Sequence, residues 1–227
     1  MGLKDRSHSM PKVPIYALGI LGCLIALGLA AGCAKKGMVK EPVPTWTCSR
    51  EADEAMKRHD YQEAIRLHQE ILETEPDNAL ALYHLGYAYG QLADHEREVC
   101  FYERAVALGY TEGNIFFNLG MAYGELNRIV EAVGVFQKAL QLDPNSADNH
   151  FGLALAYQRG VKDRQAEEEF LKAIELDPVH VDARLYLSML YADRGEMQKA
   201  AAQLREILKL DPSNSGAREF LKRIERE

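Results

Sequence analysis

Side chains able to ligate a metal or act as nucleophiles are scattered along the 227-residue chain. Histidines stand at 8, 59, 68, 84, 95, 150 and 180, and cysteines at 23, 33, 48 and 100. None of them falls into H-E-x-x-H or C-x-x-C, the local spacings that aim two ligands at one ion. The glycines of Leu85 to Gly90 (LGYAYG) and Leu119 to Gly124 (LGMAYG) recur on a helical pattern. They do not open a phosphate-cradling loop after a strand. Acidic runs such as Glu167-Glu168-Glu169 read as solvated helix faces. The expectation is no catalytic residue, no cofactor, no metal and no small-molecule substrate.

One cysteine does have a context that implies chemistry. Lys4, Arg6 and Lys12 precede 22 uncharged residues, Val13 to Ala34, in which the small residues Ala30, Ala31 and Gly32 come just before Cys33. That is the layout of a secretory signal ending at a peptidase site. Leu29 to Cys33 (LAAGC) resembles a bacterial lipobox, with Ala30 where Leu is commonest. The resemblance implies diacylglycerol on the Cys33 thiol, cleavage after residue 32 and acylation of the new amine. Cys23, after Ile20-Leu21-Gly22, is a second candidate, but cutting there would leave ten more apolar residues on the mature chain. Cys33 is therefore preferred. An uncleaved inner-membrane helix stays open as the alternative, because a run of this length can span about 30 Å of hydrocarbon. N-myristoylation at Gly2 is not supported, since Arg6 stands where that signal has Ser or Thr. Two or more acyl chains make a lasting membrane anchor where one is marginal. Ala34, in place of an aspartate after the cysteine, implies an outer-membrane address facing the periplasm, by the sorting rule of such lipoproteins.

The chain carries 34 acidic against 27 basic residues, a formal charge of −7, with 47% hydrophobic and 8% aromatic residues. Loss of residues 1–32 would take the charge to −9. An acidic chain without a basic block lacks the footprint of a nucleic-acid binder. Residues 33–44, with Lys35, Lys36, Lys40 and two prolines, read as a lipidated cysteine and tether. Cys48 and Cys100 remain after cleavage; a disulfide between them is open, and their unrelated positions favour two thiols.

The rest repeats every 34 residues. Pro144, Pro178 and Pro212 are one period apart, and Pro76 lies two periods before Pro144. With repeats at 45–78, 79–112, 113–146, 147–180 and 181–214, position 7 holds Leu85, Leu119, Leu153 and Leu187. Position 8 holds Gly86, Gly120, Ala154 and Ser188, and position 11 holds Tyr89, Tyr123, Tyr157 and Tyr191. Position 20 holds Ala64, Ala132, Ala166 and Ala200. This pattern resembles the tetratricopeptide (TPR) repeat. The resemblance implies an all-α, right-handed superhelix of five helix-turn-helix units. Leu at position 7 and Tyr at 11 share a helical face and are expected to pack on the second helix of their own repeat. Small residues at 8 and 20 let helices approach closely. Ala217, Phe220, Leu221 and Ile224 make an amphipathic capping helix of residues 215–227.

Departures from the pattern stand out. Repeat 1 has Glu51 at position 7 and Ala55 at position 11, as suits a terminal unit. Repeat 2 has Glu98 where others have alanine and Tyr110 where others have proline, which predicts altered packing towards repeat 3. His68 takes position 24 in place of an aromatic, as a partly buried packing residue.

Family resemblance places positions 5 and 9 on the concave face. In repeats 2 to 5 these are Tyr83, Phe117, Phe151 and Leu185, and Tyr87, Met121, Leu155 and Met189. All eight are apolar or aromatic, which suits an amphipathic helix or an extended peptide with apolar anchors. Gly90 and Gly124 at position 12 suggest space kept open in that groove. Self-coverage, by neighbouring repeats or by the tether around Val39, Val43 and Trp46, is the competing expectation. The Lys and Asn clamp that chaperone-binding members use on a C-terminal carboxylate is missing. The combined expectation is a non-enzymatic, lipid-anchored interaction scaffold of the cell envelope. It looks like TPR lipoproteins of type IV pilus and secretin assembly, or those that regulate peptidoglycan enzymes.

Overall fold

A computed structural model describes residues 46–112 and 114–226. The proposed signal, Cys33, the tether and the uncharged run Val13 to Ala34 lie outside these residues. Among the described residues there are eleven helices and no strand, and no helix is long and apolar enough to cross a membrane.

The helices come in antiparallel pairs set by the 34-residue period. They are α1 (Arg50–Lys57) with α2 (Tyr61–Thr74), α3 (Ala79–Gln91) with α4 (His95–Ala107), and α5 (Ile115–Glu125) with α6 (Ile129–Leu142). Then come α7 (Ala147–Arg159) with α8 (Asp163–Leu176), α9 (Val181–Asp193) with α10 (Met197–Leu210), and α11 (Ser215–Ile224). Each helix packs on the next, and successive first helices also touch, α3 on α5 and α5 on α7. The result is the superhelical TPR stack, with one hydrophobic core running along it.

Local chemistry fixes the helix ends. Ser49, Asp60, Asn78, Asp94, Ser146 and Asn214 each accept a hydrogen bond from the backbone N–H three residues on, the N-cap that helices require. Within each pair the turn needs one left-handed residue at position 15. His59, Ala93, Asn127 and Val161 take φ of 59, 57, 55 and 55°, and Gly195 takes 74°. Only the fifth repeat uses the residue type that does this without strain. Between pairs, the Asp-Pro turns at Asp143, Asp177 and Asp211 are held by the carboxylate accepting from the N–H two residues on, at 3.1, 3.1 and 2.9 Å.

One contact recurs sixteen residues apart at every junction between repeats. Position 24 of each repeat is fully buried, as His68, Tyr102, Phe136, Phe170 and Leu204. Its side chain meets position 6 of the following repeat. The pairs are His68 with His84, with ring centroids 4.8 Å apart, Tyr102 with Asn118, whose amide donates to the hydroxyl at 3.3 Å, and Phe170 with Tyr186, stacked at 6.3 Å. In the pair Phe136 with Gly152, a Cβ on the glycine would collide with the ring. Position 8 is small for the same reason within a repeat: a Cβ at Gly86 would lie 2.6 Å from Tyr102 and one at Gly120 2.5 Å from Phe136.

The position-11 tyrosines reach beyond their own repeat as well: Tyr89 stacks on Phe101 of its own second helix at 5.4 Å, while the hydroxyls bond backwards. The Tyr89 and Tyr157 hydroxyls accept from Gln69 and Gln137 at 3.3 Å. Those of Tyr123 and Tyr191 donate to Glu103 and Glu167. All four partners lie on the second helix of the preceding repeat, so this side chain staples neighbours together through its one polar atom.

Repeat 2 departs where its sequence does. Gly109, at φ 87°, ends α4 early, with Gly109 N–H donating to Val106 O and Tyr110 N–H to Ala105 O, both at 3.0 Å. Tyr110 is then buried, stacked on Tyr83 at 5.2 Å and beside Trp46 at 6.0 Å. A ring does the work of the missing proline by locking the loop from inside.

Candidate interaction surface

The eight residues expected to form the apolar face divide into two layers. At position 5, the rings of Tyr83, Phe117 and Phe151 stand against the position-24 rings of their own repeats, at 5.8, 6.1 and 6.0 Å. Two of them are covered by the chain itself. Tyr83 lies under Tyr110, and burial raises its phenol above the ordinary range. Phe151 is only 8% exposed, enclosed by Phe170, His180 at 4.9 Å and Tyr186 at 5.6 Å. Phe151 therefore belongs to the core and presents almost nothing to a partner. Leu185 is half-buried against the core.

Position 9 forms the outer layer. Tyr87, Met121 and Leu155 are half-buried, and Met189 is 42% exposed. Met121 and Leu155 line one small apolar depression, floored by Gly120, Phe136 and Gly152. Met189 lines another with Met197, Phe220 and Ile224, between the fifth repeat and α11. Phe117 faces a third, more polar one, with Asn114, Asp143, Ser146, Asp148 and Asn149 around it. Tyr87 makes an edge contact with Tyr61 at 6.3 Å.

The glycines at position 12 do not hold the groove open. A Cβ at Gly90 would lie 2.5 Å from Glu98 Oε1, and one at Gly124 3.0 Å from Arg159 Nη1. Arg159 in turn pairs with Glu125 across the repeat boundary at 2.7 Å. The absent side chains make room for charged groups of the chain itself. Glu98 thus packs inside its own repeat, hydrogen-bonded to His95 at 2.8 Å, and burial holds its carboxyl above the ordinary value.

Spacing along the chain also concealed one grouping of chemical side chains. Cys48, His68 and His84 each bring a potential ligand atom into a cluster in which all three lie within 4.8 Å of one another. Cys48 sits just before α1, His68 on α2 and His84 on α3. Sequence reasoning missed the set because its spacings, 20 and 16 residues, are those of repeat packing rather than of a single helix or turn. The signal that could have found it is the position-24 to position-6 contact. His68 is fully buried, not partly, and burial pushes its imidazole down to about 4. Cys48 and Cys100 are both free thiols.

The family profile described as "Tetratricopeptide repeat" matches residues 49–113 and 151–215, and a second, "TPR repeat", matches 120–160. No curated protein matches the sequence. Among solved structures, MamA from Desulfovibrio magneticus RS-1 superposes with a TM-score of 0.67 at 21% identity, over 73% of this chain and 93% of that one. PilF of Pseudomonas aeruginosa gives 0.66 at 20% identity, over 77% and 80%. YrrB, described as a TPR protein with an unusual peptide-binding site, gives 0.63 at 23% identity, over 75% and 88%. At these identities the likeness establishes the fold. With profiles covering more than half its length, the chain belongs to the tetratricopeptide repeat family.

Proposed function

We propose that this chain is a non-enzymatic interaction scaffold of the bacterial cell envelope, anchored by lipid on Cys33 and holding an apolar segment of another protein along position 9 of its first helices. TPR proteins mediate protein–protein interactions, and YrrB is an example with a peptide-binding site. The observation that carries the partner reading is the outer layer, in which Tyr87, Met121 and Leu155 are half-buried and Met189 is exposed, on helices otherwise saturated with core contacts. Methionine and tyrosine there offer adaptable apolar contact. The role in pilus or secretin assembly rests on the combination of a lipobox-like segment with TPR repeats.

A photo-crosslinking residue placed at Leu155 or Met189 in cells should capture one envelope protein, and the same residue at Val130, 83% exposed on α6, should not. Equal capture from both faces would remove the groove reading. For the anchor, Cys33→Ser should abolish incorporation of radiolabelled palmitate, and unchanged labelling would reject it.

A further inference from the structure

We propose that Cys48, His68 and His84 bind one Zn(II) ion, which clasps the first repeat to the second. The donor set of one thiol and two imidazoles suits a borderline-soft d10 cation. Geometry supports it. Cys48 Sγ lies 3.6 Å from His84 Nδ1. Zn–S of about 2.3 Å and Zn–N of about 2.0 Å at the tetrahedral angle would separate those atoms by about 3.5 Å. His68 completes the triangle, with every pair of ligand atoms within 4.8 Å, so side-chain adjustment of about an ångström closes the site.

His68 provides the independent observation. It is 0% exposed, and neither ring nitrogen has a hydrogen-bond partner. A buried polar group left unsatisfied is destabilising, and native proteins rarely tolerate it without a role. The other repeats fill this socket with Tyr102, Phe136, Phe170 and Leu204. An imidazole there forfeits hydrogen bonds that a bound ion would replace. The thiol donating to His84 Nδ1 accounts for the 3.6 Å contact alone and leaves His68 unpaired.

The surroundings fit a cation. Asp53 Oδ1 lies 3.9 Å from His84 Nδ1, placed to complete four-coordination. Thiolate and carboxylate together would neutralise the ion's two charges. Cys48 is held in place from behind, because the buried Asn78 donates from its amide to Thr47 O at 2.9 Å while capping α3. Burial pushes the free thiol up to about 12, so it carries its proton until the ion arrives. Binding replaces the S–H bond with an S–Zn bond and releases that proton to solvent.

The full chain, reduced and stripped by chelator in detergent, is titrated with Co(II). The expected result is a thiolate-to-cobalt charge-transfer band in the near ultraviolet that saturates at one ion per chain and is bleached by Zn(II). Cys48→Ser and His68→Phe should each remove it, with affinity falling by at least ~100-fold. His68→Phe installs the ring type that other repeats carry, so it tests ligation with the fold preserved. Zn(II) should also raise the unfolding midpoint of the native chain and leave that of His68→Phe unmoved. Absence of the band in the native chain, or its persistence in Cys48→Ser, or its loss in Cys100→Ser, would overturn the proposal.

Discussion

The carboxylate of Glu98 fills the space that a side chain at Gly90 would need, with Oε1 2.5 Å from where that Cβ would stand. The glycine and the buried carboxylate, eight residues apart in one helix pair, therefore form one compensated arrangement. Gly90→Ala alone should cost about 1–3 kcal/mol of stability by overpacking. In a Glu98→Ala background the same substitution should instead stabilise by about 1 kcal/mol, the helix propensity of alanine over glycine. Denaturant melts of the double-mutant cycle give the coupling; additive effects would show that the two residues are independent.

Glu98 also makes stability depend on pH. Burial raises its carboxyl above 4.5, opposed by the hydrogen bond from His95. The folded chain therefore holds this proton more tightly than the unfolded chain. The resulting stability is complete below pH 4.5 and is lost as pH rises through the raised folded value. Glu98→Gln should thus become increasingly more stable than the native chain across that window, then keep a constant advantage. An unfolding free-energy difference that is flat with pH would contradict this.

Val161 adopts φ 55° at the turn between α7 and α8 with its side chain 83% exposed. A β-branched residue in the left-handed region costs about 1–2 kcal/mol, and here no packing offsets it. Val161→Gly, matching Gly195 in the next repeat, should stabilise by about 1 kcal/mol in thermal or urea unfolding. A loss of stability would place unrecognised contacts on that side chain.

Restoring the repeat's usual proline in repeat 2 should do harm. Tyr110→Pro removes the N–H that donates to Ala105 O at 3.0 Å and the ring stacked on Tyr83, and it disfavours φ 87° at Gly109. A cost of about 3 kcal/mol is expected. Near-neutral unfolding would mean that the ring stack carries no stability.

Most of the fold was legible because it rests on periodicity. Leu119, Gly120 and Tyr123 recur at their registers whatever the neighbours do, and a 34-residue repeat of such positions admits one architecture. The site was legible only in its outer layer. Met121 and Leu155 fall where the register puts them, whereas the burial of Phe151 depends on His180 and Tyr186 from two other segments. The register alone makes Gly90 look like open space, because periodicity reports which residues share a register, not which side chain fills the volume beside them. The same blindness hid Cys48, His68 and His84, whose meeting is a property of stacking and not of any local motif.

The sixteen-residue contact fixes the order of the units. Phe136 requires the bare backbone of Gly152, whereas Phe170 stacks on Tyr186 and Tyr102 takes a hydrogen bond from Asn118. Excising the third unit cleanly, as recombination between tandem repeats would, sets Tyr102 against Gly152, where its hydroxyl loses the amide of Asn118 that donates to it. Each boundary thus carries its own key, and shuffled or shortened descendants of this gene meet a penalty at the first mismatched pair.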